Sequence, residues 1–436
     1  MRELPTPRPV PANRLSRQVR LGGMAGGIAA ATLGGALGQM LRGRGPDLAQ
    51  AALTPANAAR LAGGLAHLRG AAMKLGQMLS METGHFLPPE VTGILSQLRD
   101  AAPAMPPAQL KQVLAAEWGA DWLRHFARFD VRPIAAASIG QVHRAQTRDG
   151  RDLAIKVQFP GVADSIGPDI ATLGQLLRLP GVLPRDLDPA PLLASAEAQL
   201  RAEADYAAEG RALSAFGAHL VNHAGFVVPR LHPDFSTGRV LAMDFIDSLP
   251  IDALADAPQS VRDRVAQDLI ALVLRELFDL HRMQTDPNLA NYRVTADERI
   301  VLLDFGATQD IAPETATTYR ALLRALLMQD RDATGALMTR LGYFAPGQPP
   351  DRATLIVDLA DFASRPLRQG TAYDFATSTL IPDLAQRGQV LGQARDFWHI
   401  PPADLLFLHR KIGGMFLLAQ RLRARVALPD LLAPYA

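Results

Sequence analysis

Residues 283 to 292 read MQTDPNLANY, and the apolar run IVLLDFGAT begins at position 300. An aspartate, an asparagine five positions later and a second aspartate closing an apolar run are the oxygen groups that phosphoryl transfer needs. Asp286 is spaced to orient or deprotonate an acceptor. Asn291 and Asp304 offer ligands to Mg2+, a hard cation that also keeps waters and phosphate oxygens. Turn formation alone explains Asp286-Pro287-Asn288, three turn formers in a row, but predicts neither Asn291 nor Asp304. The His-Arg pair that usually precedes such an aspartate is missing here.

These groups need a nucleotide to act on. In LAIKV, Lys156 stands fourteen positions after Val142, where an ammonium can pair the α and β phosphates of ATP or ADP; read alone, it is an ordinary strand lysine. Laying Gly140 and Val142 on the end of a GxGxxGxV kinase loop puts Ala135 and Ala137 at the first two glycine positions. Each added methyl restricts positive φ and holds the backbone off a phosphate, so the grip on nucleotide is expected to differ from that of an ordinary kinase. An Ala-rich strand turn is the other reading of this loop. Ser138 in the same loop and Met243 in the strand expected near residues 238 to 246 complete the expected nucleotide contacts. The segment RAEADYAAEG adds Glu203, Asp205 and Glu209. Asp205 and Glu209 are an i,i+4 pair on one expected helical face, mildly destabilising unless cations neutralise them. Lys156 is one such cation. Lys74 in AAMKLGQML, sharing a face with Gln77, is the other candidate, although alone it is just a polar position on an amphipathic helix.

Elements of two kinds must hold these residues. Residues 45 to 130 carry a helical apolar period broken at Pro88-Pro89 and again around Pro103 to Pro107. From 131 to 246 the pattern is a small sheet: two strands joined by a hairpin at Asp149-Gly150, a helix around 190 to 215, and a strand near 238 to 246. From 247 to 436 helices dominate, and VRDRVAQDLIALVLRELFDLHR places Leu269, Val273, Leu277 and Leu280 on one apolar stripe in a long helix that Asp286 is expected to close. Ala312-Pro313-Glu314 is expected to be a helix start, leaving too little chain after Gly306 for a peptide-docking platform. That argues against ordinary protein phosphorylation.

Composition sets the outer bounds. With 48% apolar and 20% charged residues in 436, the chain can build two or three domains, and a net charge of +2 gives no nucleic-acid footprint. The absence of cysteine excludes disulfides and thiolate chemistry. Residues 1 to 16 are a Pro-rich tail expected to be disordered. Residues 17 to 44 enclose an uncharged Gly- and Ala-rich stretch about one membrane span long, read either as a close-packed surface helix or as a membrane contact.

Taken together, KLGQ at 74 to 77, AAASIGQVH at 135 to 143, AIKVQ at 154 to 158, EADYAAE at 203 to 209, MQTDPNLAN at 283 to 291 and LLDFGAT at 302 to 308 resemble the UbiB/aarF-type atypical kinase-like family of coenzyme Q biosynthesis. QTDPN and the tail LHRKIGGMFLLAQRLRARV at 408 to 426 look closer to its mitochondrial-type branch. The resemblance runs from about Arg17 to the end of the chain. It implies an α+β, atypical protein-kinase-like two-lobe fold with a helical N-terminal KxGQ extension over the acceptor site. In that frame Lys74 and Gln77 are the KxGQ pair, Glu203 and Asp205 the acids that meet it, and Glu209 the partner of Lys156. The implied activity is Mg-dependent ATP binding and hydrolysis or phosphotransfer in ubiquinone biosynthesis. A nucleotide-gated lipid-binding scaffold with little phosphotransfer is the alternative. Expected partners are nucleotide, quinone-precursor lipids, anionic membrane and quinone-biosynthesis proteins, with a homodimer left open and no nucleic acid. The expected address is cytoplasmic, with peripheral or integral contact to the inner membrane.

Overall fold

The computed structural model describes residues 104–177, 190–344, 347–392 and 402–436. Lys74, Gln77, the Pro-rich tail and the 17–44 segment lie outside the described residues. The chain forms two compact units, one of residues up to Arg211 with Arg230–Phe245, the other of Ala212–Pro229 with Ile246–Ala436. The second unit therefore includes residues 212–229, which the sequence pattern grouped with the sheet.

In the first unit, α1 (Pro107–Trp118) starts on a proline at its first turn, where no amide donor is needed, and stops at Gly119, whose φ of 87° is open to glycine. A strand follows at β1 (Phe126–Phe129), inside the 45–130 stretch read from sequence as helical. Its Phe-Ala-Arg-Phe alternation suits a sheet, but four residues are too few to outweigh the longer helical period around them. Next come β2 (Ala135–Ala136), β3 (Gly140–Thr147) and β4 (Asp152–Gln158), with the β3–β4 hairpin turning at Gly150, φ 92°. Then come α2 (Val162–Leu177), α3 (Ala190–Glu203), α4 (Tyr206–Leu220) and β5 (Val240–Asp244). The strands run β1-β3-β4-β5, all antiparallel, with β2 on β3. Leu153, Ile155 and Val157 of β4 point into a core with Leu114, Trp122, Phe126 and Phe235. The period-2 alternation sends Lys156 and Gln158 to the opposite face.

The single helix expected over 190 to 215 is two helices, broken at Ala204-Asp205. Asp205 accepts the amide of Ala208 at 2.8 Å and so caps the start of α4. Asp205 and Glu209 thus do not share one helical face, because the first is a cap and only the second is inside the helix. The chain passes from the first unit to the second within α4.

The second unit is built around α5 (Gln259–Phe278), in which Leu269, Val273 and Leu277 are buried as the apolar stripe requires. This helix ends at Phe278, so Leu280 and Asp286 lie beyond it. His281, at φ 51°, turns the chain into β6 (Arg282–Gln284), which separates Asp286 from the helix it was expected to close. The strands β7 (Tyr292–Val294), β8 (Ile300–Leu302) and β9 (Thr308–Asp310) follow. They pair antiparallel as β7 with β8 and β9 with β6. After them come α6 (Pro313–Met328), with Pro313 in its first turn as expected, α7 (Arg331–Leu341), α8 (Pro350–Ser364), α9 (Leu380–Gly392) and α10 (Ala403–Arg421). Among the described residues no helix is long and apolar enough to cross a membrane.

Candidate active site

In the first unit the site is organised by a buried ion pair. Lys156 Nζ donates to both carboxylate oxygens of Glu209 at 2.7 and 2.9 Å, with side chains only 9% and 1% exposed. Register places Lys156 between Val142 on β3 and Leu241 on β5, so its backbone is held on both sides. Met243 is buried on β5 opposite Ala154. The Ala-rich loop is a tight turn: Ala135 and Ala136 pair with Val142 and Gln141, and the Ala137 amide donates to Gly140 O at 2.9 Å. Gly140 is needed for close approach, because a Cβ there would stand 2.4 Å from Val157 O and 2.9 Å from the Tyr206 hydroxyl. Ser138 donates to Glu203 Oε2, tying this loop to the end of α3. Glu203 and Glu209 are buried and Asp205 is exposed.

In the second unit two loops are clipped together by the ladders that flank them. The Thr285 amide donates to Ala307 O at 3.0 Å and the Leu303 amide to Asn291 O at 2.9 Å. Residues 285–291 and 303–307 therefore run side by side, bringing Asp286, Asn291 and Asp304 into one neighbourhood. Asn291 Nδ2 donates to Asp286 O at 3.2 Å, which assigns Nδ2 to the loop and leaves Oδ1 as the atom of the amide that could hold a metal. Asp304 has φ 60°, an unusual left-handed value for a non-glycine residue, and its Oδ1 accepts the Gly306 amide at 3.3 Å. Gln284 Nε2 donates to Leu303 O at 2.7 Å and Asp304 O at 2.5 Å, bracing that turn from behind. Phe305 is buried against Phe216, ring centroids 4.9 Å apart.

Sequence reasoning missed the residues behind these loops. Arg410 Nη2 reaches Asp286 Oδ1 at 3.1 Å. Next to it, Lys411 lies fully buried, 3.2 Å from Glu276 Oε2 and 3.0 Å from the Tyr292 hydroxyl, which in turn donates to Gln284 Oε1 at 3.3 Å. Burial pushes the Glu276 carboxyl up despite Lys411. Burial pulls Lys411 down, but the charges of Glu276 and Tyr292 outweigh it, so its net direction is up. The available signal was an Arg-Lys pair inside the apolar helix sequence LHRKIGG.

The donor set fits a magnesium nucleotide: an amide oxygen and a carboxylate are hard ligands, and a strand lysine paired to a helix glutamate is the phosphate-binding pair of kinases. The first unit thus holds a buried strand-lysine and helix-glutamate pair, and the second a pair of loops carrying Asp286, Asn291 and Asp304, an arrangement of the two-lobe kinase-like class. The ABC1 atypical kinase-like domain matches residues 97–338. The chain is 33% identical over 420 residues to the mitochondrial atypical kinase COQ8 of Saccharomyces cerevisiae, covering 96% of this chain and 83% of that one. It is 34% identical over 427 residues to the mitochondrial atypical kinase COQ8B of Rattus norvegicus, covering 97% and 80%. The Rv3197–erythromycin complex from Mycobacterium tuberculosis shares the fold, with TM-score 0.58 at 24% identity over 88% of this chain and 96% of that one. The chain belongs to the ABC1 atypical kinase-like family, as the UbiB/aarF resemblance implied, and is an atypical kinase-like enzyme.

Proposed function

We propose that this enzyme is a Mg-dependent ATP-binding kinase or ATPase that supports ubiquinone biosynthesis, acting on or near membrane lipid precursors. The observation that supports this reading is the hydrogen-bonded pairing of loops 285–291 and 303–307, which sets Asp286, Asn291 and Asp304 in one neighbourhood of one unit. Support for the setting comes from relatives that bear the COQ8 name. Lys156, held by Glu209, binds phosphate oxygens, and Ala135, Ala137, Ser138, Gly140, Val142 and Met243 form the rest of the nucleotide cradle. Asn291 and Asp304 hold the metal. When bound, the ion neutralises phosphate charge and polarises the bond to the leaving oxygen. Asp286 orients the acceptor and takes its proton. Lys74 and Gln77 lie outside the described residues; the resemblance implies that they meet Glu203 and Asp205 over the acceptor side, which favours a small acceptor over a protein.

The test measures ATP turnover by the purified full chain with Mg2+, with and without anionic vesicles and a phenolic quinone precursor. Asp304→Asn and Asp286→Asn are expected to lower turnover at least 100-fold on the order of other lost catalytic groups. Unchanged turnover in Asp304→Asn defeats the reading. Precursor binding gated by nucleotide, with turnover negligible in the wild type, selects the lipid-binding scaffold instead.

A further inference from the structure

The loop MQTDPNLANY contains no cation of its own, yet Asp286 is only 15% exposed and must be held in one orientation to act as a base. Its partner comes from α10, 124 positions away: Arg410, itself 7% exposed, donates from Nη2 to Oδ1 at 3.1 Å. One helical turn further along the same face, Gly414 lies against the next loop residue. A Cβ at 414 would stand 2.2 Å from Pro287 Cβ and 2.5 Å from its Cγ. Between them, Lys411 joins Tyr292, Gln284 and the carbonyl of Asp304 in one buried polar chain. Asp286 Oδ1 is thus occupied by a guanidinium, while among the described residues Oδ2 has only the side-chain amide of Asn291 at 3.5 Å, the long limit of a hydrogen bond.

Resting on the proposed role of Asp286, we propose that α10 is the positioning element of the catalytic loop. Arg410 fixes the carboxylate so that Oδ2 faces the acceptor, and the missing side chain at Gly414 lets Pro287 seat the loop at the depth where that pairing forms. Arg410 is a positioning residue, acting through Asp286 by the single Nη2–Oδ1 contact. Misplacement of a reacting group by an ångström lowers rates by about 100-fold, so the effect falls on kcat and leaves nucleotide affinity alone.

The experiment uses full-length Arg410→Gln, Gly414→Ala, Asp286→Asn and the Arg410→Gln/Asp286→Asn double variant. It reads kcat, KM for ATP, the Kd of Mg-ADP and the melting temperature of each. The expected result is a kcat loss of about 10- to 100-fold for Arg410→Gln and a smaller loss for Gly414→Ala. Mg-ADP Kd stays within about threefold, and Arg410→Gln has no further effect in the Asp286→Asn background. Wild-type kcat in Gly414→Ala and Arg410→Gln overturns the inference. So does a parallel loss of kcat and Mg-ADP affinity, or an Arg410→Gln effect that persists undiminished without the Asp286 carboxylate. If Arg410→Gln does not fold, Gly414→Ala decides alone, because it adds one methyl and removes no charge. An Asp286→Asn chain with full turnover removes the functional reading itself. A crippled Asp286→Asn beside fully active Arg410→Gln and Gly414→Ala removes only the role of α10.

Discussion

On the proposed function, Lys156, Asp286, Asn291 and Asp304 are legible in the sequence because phosphoryl transfer dictates both their types and their spacing along short motifs. Arg410 and Lys411 are not, since their partners Asp286 and Glu276 lie 124 and 135 positions away and no local pattern marks a pairing at that range. His143 shows the same limit and has a measurable consequence. It is fully buried on β3, where Gln141 Nε2 donates to its Nε2 and its Nδ1 donates to Asp130 O, the neutral tautomer. Burial holds its pKa below the ordinary 6.5, against the opposing pull of Asp130. Below that value the unfolded chain takes up a proton that the folded chain refuses, so this contribution to stability is present above pH 6.5 and lost as pH falls. Urea titrations between pH 7.5 and 5.5 are expected to show stability dropping by at most about 1.4 kcal/mol per pH unit for one such proton. His143→Gln is expected to show a shallower slope.

Elements were legible where one period ran long and blurred where a short irregularity interrupted it. The β3–β4 hairpin and the core stripe of α5 follow their patterns, whereas the break between α3 and α4 hides in RAEADYAAEG, whose alanines and glutamates suit a helix throughout. What the local pattern misses there is the cap formed by Asp205. Between α5 and α10 the decisive contact is electrostatic. Lys411→Met leaves the Glu276 carboxyl buried without a counter-charge and is expected to cost about 3–5 kcal/mol, read from the urea midpoint. Because burial already raises the Glu276 pKa, the loss deepens as pH rises from 5 to 8 and the carboxyl ionises. Adding Glu276→Leu is expected to restore most of the stability, since an apolar pair of similar volume needs no compensation.

At the scale of the molecule, family likeness covers nearly the whole chain, while each of the two units carries its own sheet and core. On the proposed function, Mg-nucleotide binds the folded protein alone and raises its melting temperature. At a hundred times the dissociation constant the gain is about 2.7 kcal/mol, measured by calorimetry with and without chelator. Lys156→Met and Asp304→Asn are expected to abolish the shift. The Arg410–Asp286 contact also has a bearing on how the protein is made. During synthesis Asp286 leaves the ribosome long before Arg410, 124 positions later, so over that stretch the nascent chain carries the Asp286 loop while its counter-ion does not yet exist. On the proposed function, a chain cut ahead of Ala403 would keep Asp286, Asn291 and Asp304 and lack the guanidinium that seats the first of them.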